Sequence, residues 1–170
     1  MKDPKENITP ILTHYTTVEV DHAQGVYIYA TDGRRYIDFT TGIGVTNTGH
    51  CHPKVVEAIQ NQAARLIHGQ VNIVYHKPML ELVKELQTIL PPYLDSFFFT
   101  NSGAEAIEAA LKLARHATSR TNMIVFQGGF HGRTIGSVSL TTSNPIYHLK
   151  YQPLMAGVYV APYPYPYYFG

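Results

Sequence analysis

The feature that most constrains the fold is an alternation of short, continuously apolar segments with amphipathic helical patterns. The apolar segments cover residues 97–99, 123–126 and 157–160. A helix between the first two is indicated by apolar residues at spacings of three and four, namely Ile107, Ala110, Leu111 and Ala114. Short buried strands that alternate with helices are typical of a parallel sheet covered on both faces. The sequence therefore predicts an α/β fold.

The region before residue 50 has a different pattern. Residues 25–39 contain two runs of β-branched and aromatic side chains, and an Asp32-Gly33 pair separates the runs. Such a pair suits a tight reversal of the chain, so the sequence predicts a β-hairpin here. Residues 41–50 follow as a loop whose spaced glycines permit backbone conformations that other residues avoid.

Two helices are predicted between this loop and residue 97. The first covers residues 53–67, because Pro53 suits a first helical turn and apolar residues then repeat at helical spacing. The second begins near Pro78 and ends before Pro91, since proline cannot continue a helix.

Composition excludes several classes of protein. The chain is 45% hydrophobic and 15% charged, so a packed core is expected. Its net charge of +1 provides no broad basic field for binding a nucleic acid. No apolar stretch approaches the roughly 20 residues of a membrane span. Cys51 is the only cysteine, and the amino terminus lacks the apolar core of a signal peptide. We expect a soluble, cytoplasmic protein.

Residues 100–106 give the strongest local signal for a ligand. They lie where a predicted strand ends and a helix begins, and the free amides and positive dipole end of such a helix attract anions. Gly103 would let a ligand approach the backbone, and the Ser102 hydroxyl could add a hydrogen bond. The alternative is a capping box, in which Ser102 and Glu105 close the helix start on themselves without a ligand.

A second glycine-containing loop, residues 127–134, also follows a predicted strand. Phe130 could lie against a planar heterocycle, and Arg133 could hold a carboxylate through two parallel hydrogen bonds. The alternative is a plain loop in which Phe130 packs in the core and Arg133 is solvated or ion-paired.

A metal site is not predicted. His50, Cys51 and His52 are adjacent in the sequence, and adjacent side chains rarely point at one metal ion. The spacing of the other histidines does not indicate a catalytic triad either.

Three segments resemble class III aminotransferases in their order, their spacing and the identity of their residues. They are residues 38–55, 100–115 and 130–134, and the resemblance spans most of residues 20–140. It implies a pyridoxal-phosphate-dependent transferase of fold type I, similar to aspartate aminotransferase. The implied reaction moves an amino group from an amino acid such as 4-aminobutyrate to a 2-oxo acid such as 2-oxoglutarate. Acetylornithine or ornithine is the alternative donor.

The resemblance also implies roles for the residues of the two loops. Ser102, Gly103 and Ala104 would hold the phosphate of pyridoxal 5'-phosphate. Phe130 would stack on the pyridine ring, with His131 beside it.

Further implications concern the substrate and the architecture. Arg133 would bind the substrate carboxylate, and Ile43 would line a substrate pocket at a homodimer interface. Residues 1–50 would form an N-terminal segment with a hairpin, as part of a small domain. Residues 51–170 would form the first part of the large cofactor-binding domain.

The segment that carries the family's Schiff-base lysine has no counterpart in these residues, and Lys112 belongs to the predicted phosphate-binding helix. No catalytic residue is therefore assigned, and the 170-residue chain is expected to be an incomplete N-terminal part that is inactive alone. A different reading is a non-catalytic remnant that binds a phosphate-bearing ligand or a partner chain.

Overall fold

The computed structural model describes residues 3–11 and 13–169. The chain divides into two compact units, residues 1–80 and residues 81–170. Each unit is described by itself below.

The first unit contains a three-stranded antiparallel sheet in the order β1-β2-β3. The strands are β1 (Val20–Gln24), β2 (Tyr27–Ala30) and β3 (Arg35–Ile37). Tyr27 lies opposite Ile37 in the β2–β3 pair, so the predicted hairpin is confirmed. Strand β1 was not predicted, because its polar residues do not alternate with apolar ones as a half-buried strand requires.

Among the described residues of this unit, three α-helices begin after a short 3-10 helix at Pro4–Asn7. Helix α1 (Thr41–Gly44) is a distorted turn, α2 covers Pro53–Ala63, and α3 covers Lys77–Ile89 and extends into the second unit. The prediction of α3 is confirmed. The prediction that α2 reaches residue 67 is wrong, because α2 ends at Ala63 and the Arg65 amide bonds three residues back to the Gln62 carbonyl, as in the tighter last turn of a helix.

The second unit contains a two-stranded parallel sheet flanked by helices. Its elements are α4 (Gly103–Thr118), β4 (Met123–Phe126), α5 (Ile135–Leu140), β5 (Val158–Ala161) and α6 (Pro166–Phe169). Met123 lies opposite Val158 in the parallel pair. The predicted parallel pairing and the helix after residue 102 are therefore confirmed.

Residues 97–99 do not form the predicted buried strand. They do not pair with any strand among the described residues, and Phe98 is 80% exposed. A strand needs a neighbour that pairs with its backbone, and in the described part of the chain β4 pairs only with β5. Strand β4 is not buried on both faces either, since Ile124 is 71% exposed.

The core of the second unit lies between α4, β4 and α5. Leu111, Val125, Val138 and Leu140 are buried there. Ser137, Ser139 and Thr141 are buried beside them and use hydrogen bonds to satisfy their hydroxyl groups. No helix among the described residues is long and apolar enough to cross a membrane.

Candidate functional site

Helix α4 starts at a side-chain cap. Ser102 is extended (φ −152°, ψ 160°), and its Oγ accepts a hydrogen bond from the Glu105 amide at 3.2 Å. The Glu105 carboxylate accepts bonds from the Asn101 amide at 2.7 Å and from Asn101 Nδ2 at 3.1 Å. The capping pattern is thus formed, with the Glu105 side chain bonded to the residue before Ser102.

The cap leaves several donors free at the helix start. Among the hydrogen bonds of the described residues, none uses the amide of Ser102, Gly103 or Ala104. The Ser102 hydroxyl accepts one bond and still has its own proton to donate. A Cβ built on Gly103 would meet nothing within 4 Å, so the space above these donors is open. Capping and anion binding, which the sequence offered as alternatives, are therefore compatible.

The loop at residues 127–134 lies directly against this helix start. A Cβ built on Gly132, whose φ is +129°, would lie 2.7 Å from Ala104 Cβ and 3.0 Å from Ala104 Cα. Only glycine allows this approach, because any side chain would collide with α4. The structure thus brings together two segments that the sequence predicted separately.

Two threonines after α5 hold the loop in place. Thr141 Oγ1 accepts a bond from the His131 amide at 3.0 Å and lies 3.0 Å from the Gly132 carbonyl oxygen. Thr142 Oγ1 accepts from the Gly129 amide at 3.0 Å. The backbone of the loop is therefore held by the hydroxyl groups of Thr141 and Thr142.

The side chains of this loop remain accessible. Phe130 is 53% exposed and makes an edge-to-face contact with Tyr147 at a centroid distance of 5.3 Å. The alternative in which Phe130 packs in the core is therefore wrong. Arg133 is exposed, and among the described residues it has no ion pair or hydrogen bond. Its guanidinium group is free to bind an anion.

An apolar cavity of about 800 Å³ lies beside this loop. The apolar face of α4 and strand β4 form its walls, and His131 lies at its border. Its other lining residues include Ile107, Leu111, Val125, Leu140 and Tyr163.

Ile43 lies in the first unit, within α1. Its backbone is left-handed (φ 63°, ψ 54°) and its side chain is 95% exposed. A β-branched residue in this conformation is strained. The role of Ile43 in a substrate pocket stays a prediction.

A carboxylate that the sequence reasoning did not single out anchors this loop. Asp38 Oδ1 accepts bonds from the Thr40 hydroxyl at 2.6 Å and from the Thr40 and Thr41 amides. Asp38 Oδ2 lies 2.9 Å from His50 Nε2, and the Asp38 side chain is 5% exposed. The bonds from the Thr40 hydroxyl and His50 lower the pKa of Asp38 to about 2. An Asp two residues before Thr is a side-chain turn signal that could have revealed it.

The adjacent residues His50, Cys51 and His52 share no partner among the described residues, and His52 Nδ1 is buried without a hydrogen bond. His50 pairs with Asp38, and Cys51 is exposed with a positive φ of 51°. Over the described residues, no group of three His, Cys, Asp or Glu side chains could hold a metal ion.

The chain is similar to one protein family over most of its length. A model of the family "Aminotransferase class-III" matches residues 11–169. The chain belongs to the class III aminotransferases. The resemblance read from residues 38–55, 100–115 and 130–134 is thereby confirmed.

Three curated members of the family are similar to the chain. A 2-aminoadipate transaminase of Pseudomonas putida is 44% identical over 94% of the chain. A probable 4-aminobutyrate aminotransferase of Bacillus subtilis is 44% identical over 85%, and an acetylornithine aminotransferase of Archaeoglobus fulgidus is 42% identical over 87%. The chain covers 39%, 33% and 39% of the length of these proteins.

Solved structures confirm the fold type. An adenosylmethionine-8-amino-7-oxononanoate aminotransferase from Methanocaldococcus jannaschii has a TM-score of 0.87 at 30% identity, over 95% of this chain and 40% of that one. A PLP-bound amine transaminase from an uncultivated Pseudomonas species has a TM-score of 0.79 at 26% identity, over 94% and 38%. The chain therefore has part of the α/β fold of PLP-dependent transaminases, and pyridoxal phosphate is the cofactor of its family.

Proposed function

We propose that this protein is a pyridoxal-phosphate-dependent transaminase, and that its second unit supplies the cradle for the cofactor phosphate. The observation that carries the proposal is the open start of α4, where three consecutive amides and one hydroxyl proton have no partner among the described residues. Unpaired donors at the positive end of a helix dipole favour a bound anion. The residues present thus fit the phosphate group.

The residues around this cradle have distinct roles in the proposal. Ser102, Gly103 and Ala104 donate hydrogen bonds to the phosphate, and the glycine leaves room for it. Phe130 covers one face of the ring and excludes water from it, with His131 at its side. When bound, the cofactor supplies an electron sink for bond changes at the amino-bearing carbon.

Arg133 orients the substrate in this proposal. Its free guanidinium can form two charge-assisted hydrogen bonds to a carboxylate, which fixes both the position and the angle of the substrate. Ile43 is kept as a substrate-pocket residue on the resemblance alone.

The proposed amino donor is an amino acid such as 4-aminobutyrate, with 2-oxoglutarate as acceptor. The named relatives act on 2-aminoadipate, 4-aminobutyrate or acetylornithine, and each of these molecules carries a carboxylate that Arg133 could bind. Acetylornithine or ornithine is the second candidate, supported by the acetylornithine aminotransferases among the relatives.

The test is a transamination assay on the full-length protein supplied with pyridoxal phosphate. Each donor is offered with 2-oxoglutarate, and the glutamate formed is measured. We expect turnover with at least one donor, and the ratio of kcat/KM values identifies it. Cofactor binding without turnover of any donor would instead support a non-catalytic phosphate-binding protein.

We also propose that residues 1–170 alone have no transaminase activity. Lys112, which shares α4 with the cradle, is exposed and lies about 13 Å along the helix from Gly103. Borohydride reduction of the isolated chain with pyridoxal phosphate, followed by mass spectrometry, tests this proposal. Stoichiometric attachment of the cofactor to one lysine would contradict it.

A cytoplasmic homodimer completes the proposal. Helices α2 and α3 have clear apolar stripes, yet neither has a buried residue among those described. Such faces are suited to pack against further protein. Sedimentation of the full-length protein tests the dimer, and fractionation of its host cells tests the location. A monomer at micromolar concentration would contradict the first part.

A further inference from the structure

The two loops of the proposed site are joined by a carboxylate that belongs to neither. Glu108 lies on α4, five positions after Gly103 on the helix. Its Oε1 accepts a bond from the Thr134 hydroxyl at 2.5 Å and another from the Ser137 amide at 3.0 Å. Thr134 ends the loop that carries Phe130 and Arg133, and Ser137 lies in the first turn of α5.

These bonds connect α4 to the loop that carries Phe130 and Arg133. Among the described residues, every hydrogen bond between α4 and residues 129–142 ends on Glu108 Oε1. The remaining connection is close packing, above all that of Gly132 on Ala104. Packing sets how near the loop approaches, whereas the bonds to Glu108 set where Thr134 lies along α4.

The surroundings of Glu108 are shaped for this carboxylate. A Cβ built on Gly136 would collide with both carboxylate oxygens of Glu108, so the glycine keeps the space open. Thr134 and Ser137 also bond to each other through their hydroxyl oxygens at 2.7 Å and through the Thr134 amide at 3.1 Å. The two partners of Glu108 are therefore also held in place by each other.

We propose that Glu108 is a positioning residue that fixes the Phe130–Arg133 loop relative to the phosphate cradle. The inference rests on the proposed function, because it assigns Glu108 a role in placing groups for the cofactor ring and the substrate. In the part of the chain that the structure describes, Glu108 has no hydrogen bond or ion pair with the cradle amides or with Arg133. Its effect is to hold two binding elements at a fixed separation, and ligands that span both elements benefit from it.

The experiment compares a ligand that needs one element with a ligand that needs both. Inorganic phosphate requires the cradle alone. Pyridoxamine 5'-phosphate requires the cradle and the loop, and its amine prevents covalent attachment to a lysine. Affinities for both ligands are measured on full-length protein stripped of cofactor, with wild type, Glu108→Ala, Glu108→Gln and Glu85→Ala. Glu85 is an exposed glutamate on α3 and serves as the control.

We expect Glu108→Ala to weaken pyridoxamine phosphate binding about tenfold, since it removes two charge-assisted bonds, and to change phosphate binding less than twofold. Glu108→Gln should restore the affinity to within about threefold, because a glutamine oxygen can accept the same two bonds. Glu85→Ala should match wild type.

Each other outcome overturns a definite statement. Equal affinities for pyridoxamine phosphate in wild type and Glu108→Ala would refute the positioning role. Equal losses for both ligands would show a general effect on α4 and would refute it as well. If Glu108→Ala does not fold, Thr134→Val takes its place. An unchanged affinity of Thr134→Val for pyridoxamine phosphate would then refute the positioning role of Glu108. A wild type that binds neither ligand would refute the proposed function and this inference together.

Discussion

The start of α4 and the loop after β3 differ in their hydrogen bonding and in their backbone strain. At the start of α4 Ser102 has an extended conformation, while the amides of Ser102, Gly103 and Ala104 have no partner among the described residues. In the loop after β3 the Asp38 carboxylate pairs with the surrounding donors, while four successive residues from Thr41 to Gly44 have a positive φ. One region keeps unsatisfied hydrogen-bonding capacity, and the other keeps backbone strain.

The difference teaches what each region is ready to do. Donors at a helix start that have no protein partner can bind an anionic ligand in place of water, so the start of α4 is suited to binding. A strained backbone held by a buried carboxylate presents one side chain in a fixed direction, so the loop is suited to display Ile43. The predictions below test each half of this comparison.

The largest effect is expected from a negative charge at the cradle. Gly103→Asp places a carboxylate in the open space above the free amides, where it repels the phosphate and occupies its donors. We expect cofactor affinity to fall roughly 100-fold, equivalent to about 2.7 kcal/mol. Titration of the stripped full-length protein with pyridoxamine phosphate measures it.

Gly103→Asn is the matched control, since asparagine has the shape of aspartate without its charge. It should lose much less affinity than Gly103→Asp. Equal losses in the two variants would mean that bulk, not charge, governs this position.

A smaller and different effect is expected from the free guanidinium. Arg133→Ala should raise KM for the amino donor about tenfold, since it removes charge-assisted bonds to the substrate carboxylate. Cofactor affinity should change less than threefold. The KM of Arg133→Lys should lie between those of wild type and Arg133→Ala, because lysine keeps the positive charge and cannot form two parallel hydrogen bonds to a carboxylate. A loss of cofactor affinity as large as that of Gly103→Asp would refute the assigned roles.

Relief of strain should stabilise the other region. Glycine adopts the left-handed conformation of Ile43 without steric cost, and the exposed side chain contributes little packing. Relief of roughly 1–2 kcal/mol of left-handed strain exceeds the roughly 0.5–1 kcal/mol that glycine adds to the entropy of the unfolded chain, so Ile43→Gly is expected to raise the free energy of unfolding by about 0.5–1 kcal/mol. Urea unfolding measures it, with Ile43→Val as the control that keeps β-branching. A destabilised Ile43→Gly protein would mean that the side chain is packed in solution.

The smallest effect is expected when a low pH protonates Asp38 and weakens the loop after β3. The pKa of Asp38 is lowered to about 2, below its ordinary value of 3.8, so its contribution to stability is complete above the ordinary value. The contribution is lost as the pH falls through about 2. Amide hydrogen exchange of residues 38–50 should therefore accelerate between about pH 4 and pH 2, beyond the intrinsic pH dependence of exchange.

Asp38→Asn should remove this acceleration, and Asp21→Asn, at an exposed site of the same unit, should keep it. An unchanged profile in Asp38→Asn would exclude Asp38 as the titrating group.

The sequence predicted the parts of the fold that depend on local pattern. The Asp32-Gly33 turn and the apolar stripe of α4 are local signals, and both gave the right element. Residues 97–99 were assigned wrongly because strand formation depends on a pairing partner, which a local pattern does not contain. Strand β1 was missed for the related reason that pairing with β2 overrides its polar composition.

The site could be predicted in its residue types and not in its connections. Gly103 and Phe130 are recognisable from their motifs, but the approach of Gly132 to Ala104 joins positions far apart in the chain. Glu108 has the same difficulty, since it resembles any other charge on a helix until Thr134 and Ser137 are seen beside it. The left-handed backbone of Ile43 contradicts its intrinsic preference, so no propensity rule would predict it.

The hydroxyl-bearing side of α5 has a consequence for how this small helix can move. Ser137, Ser139 and Thr141 bond to named atoms: Ser139 Oγ bonds to the Ile135 carbonyl and accepts from the Met155 amide, and Thr141 Oγ1 bonds to the loop. Apolar contacts are non-directional, whereas each of these hydroxyls bonds to a partner at a preferred distance and angle. The rotation of α5 about its own axis is therefore fixed by directional hydrogen bonds in addition to packing.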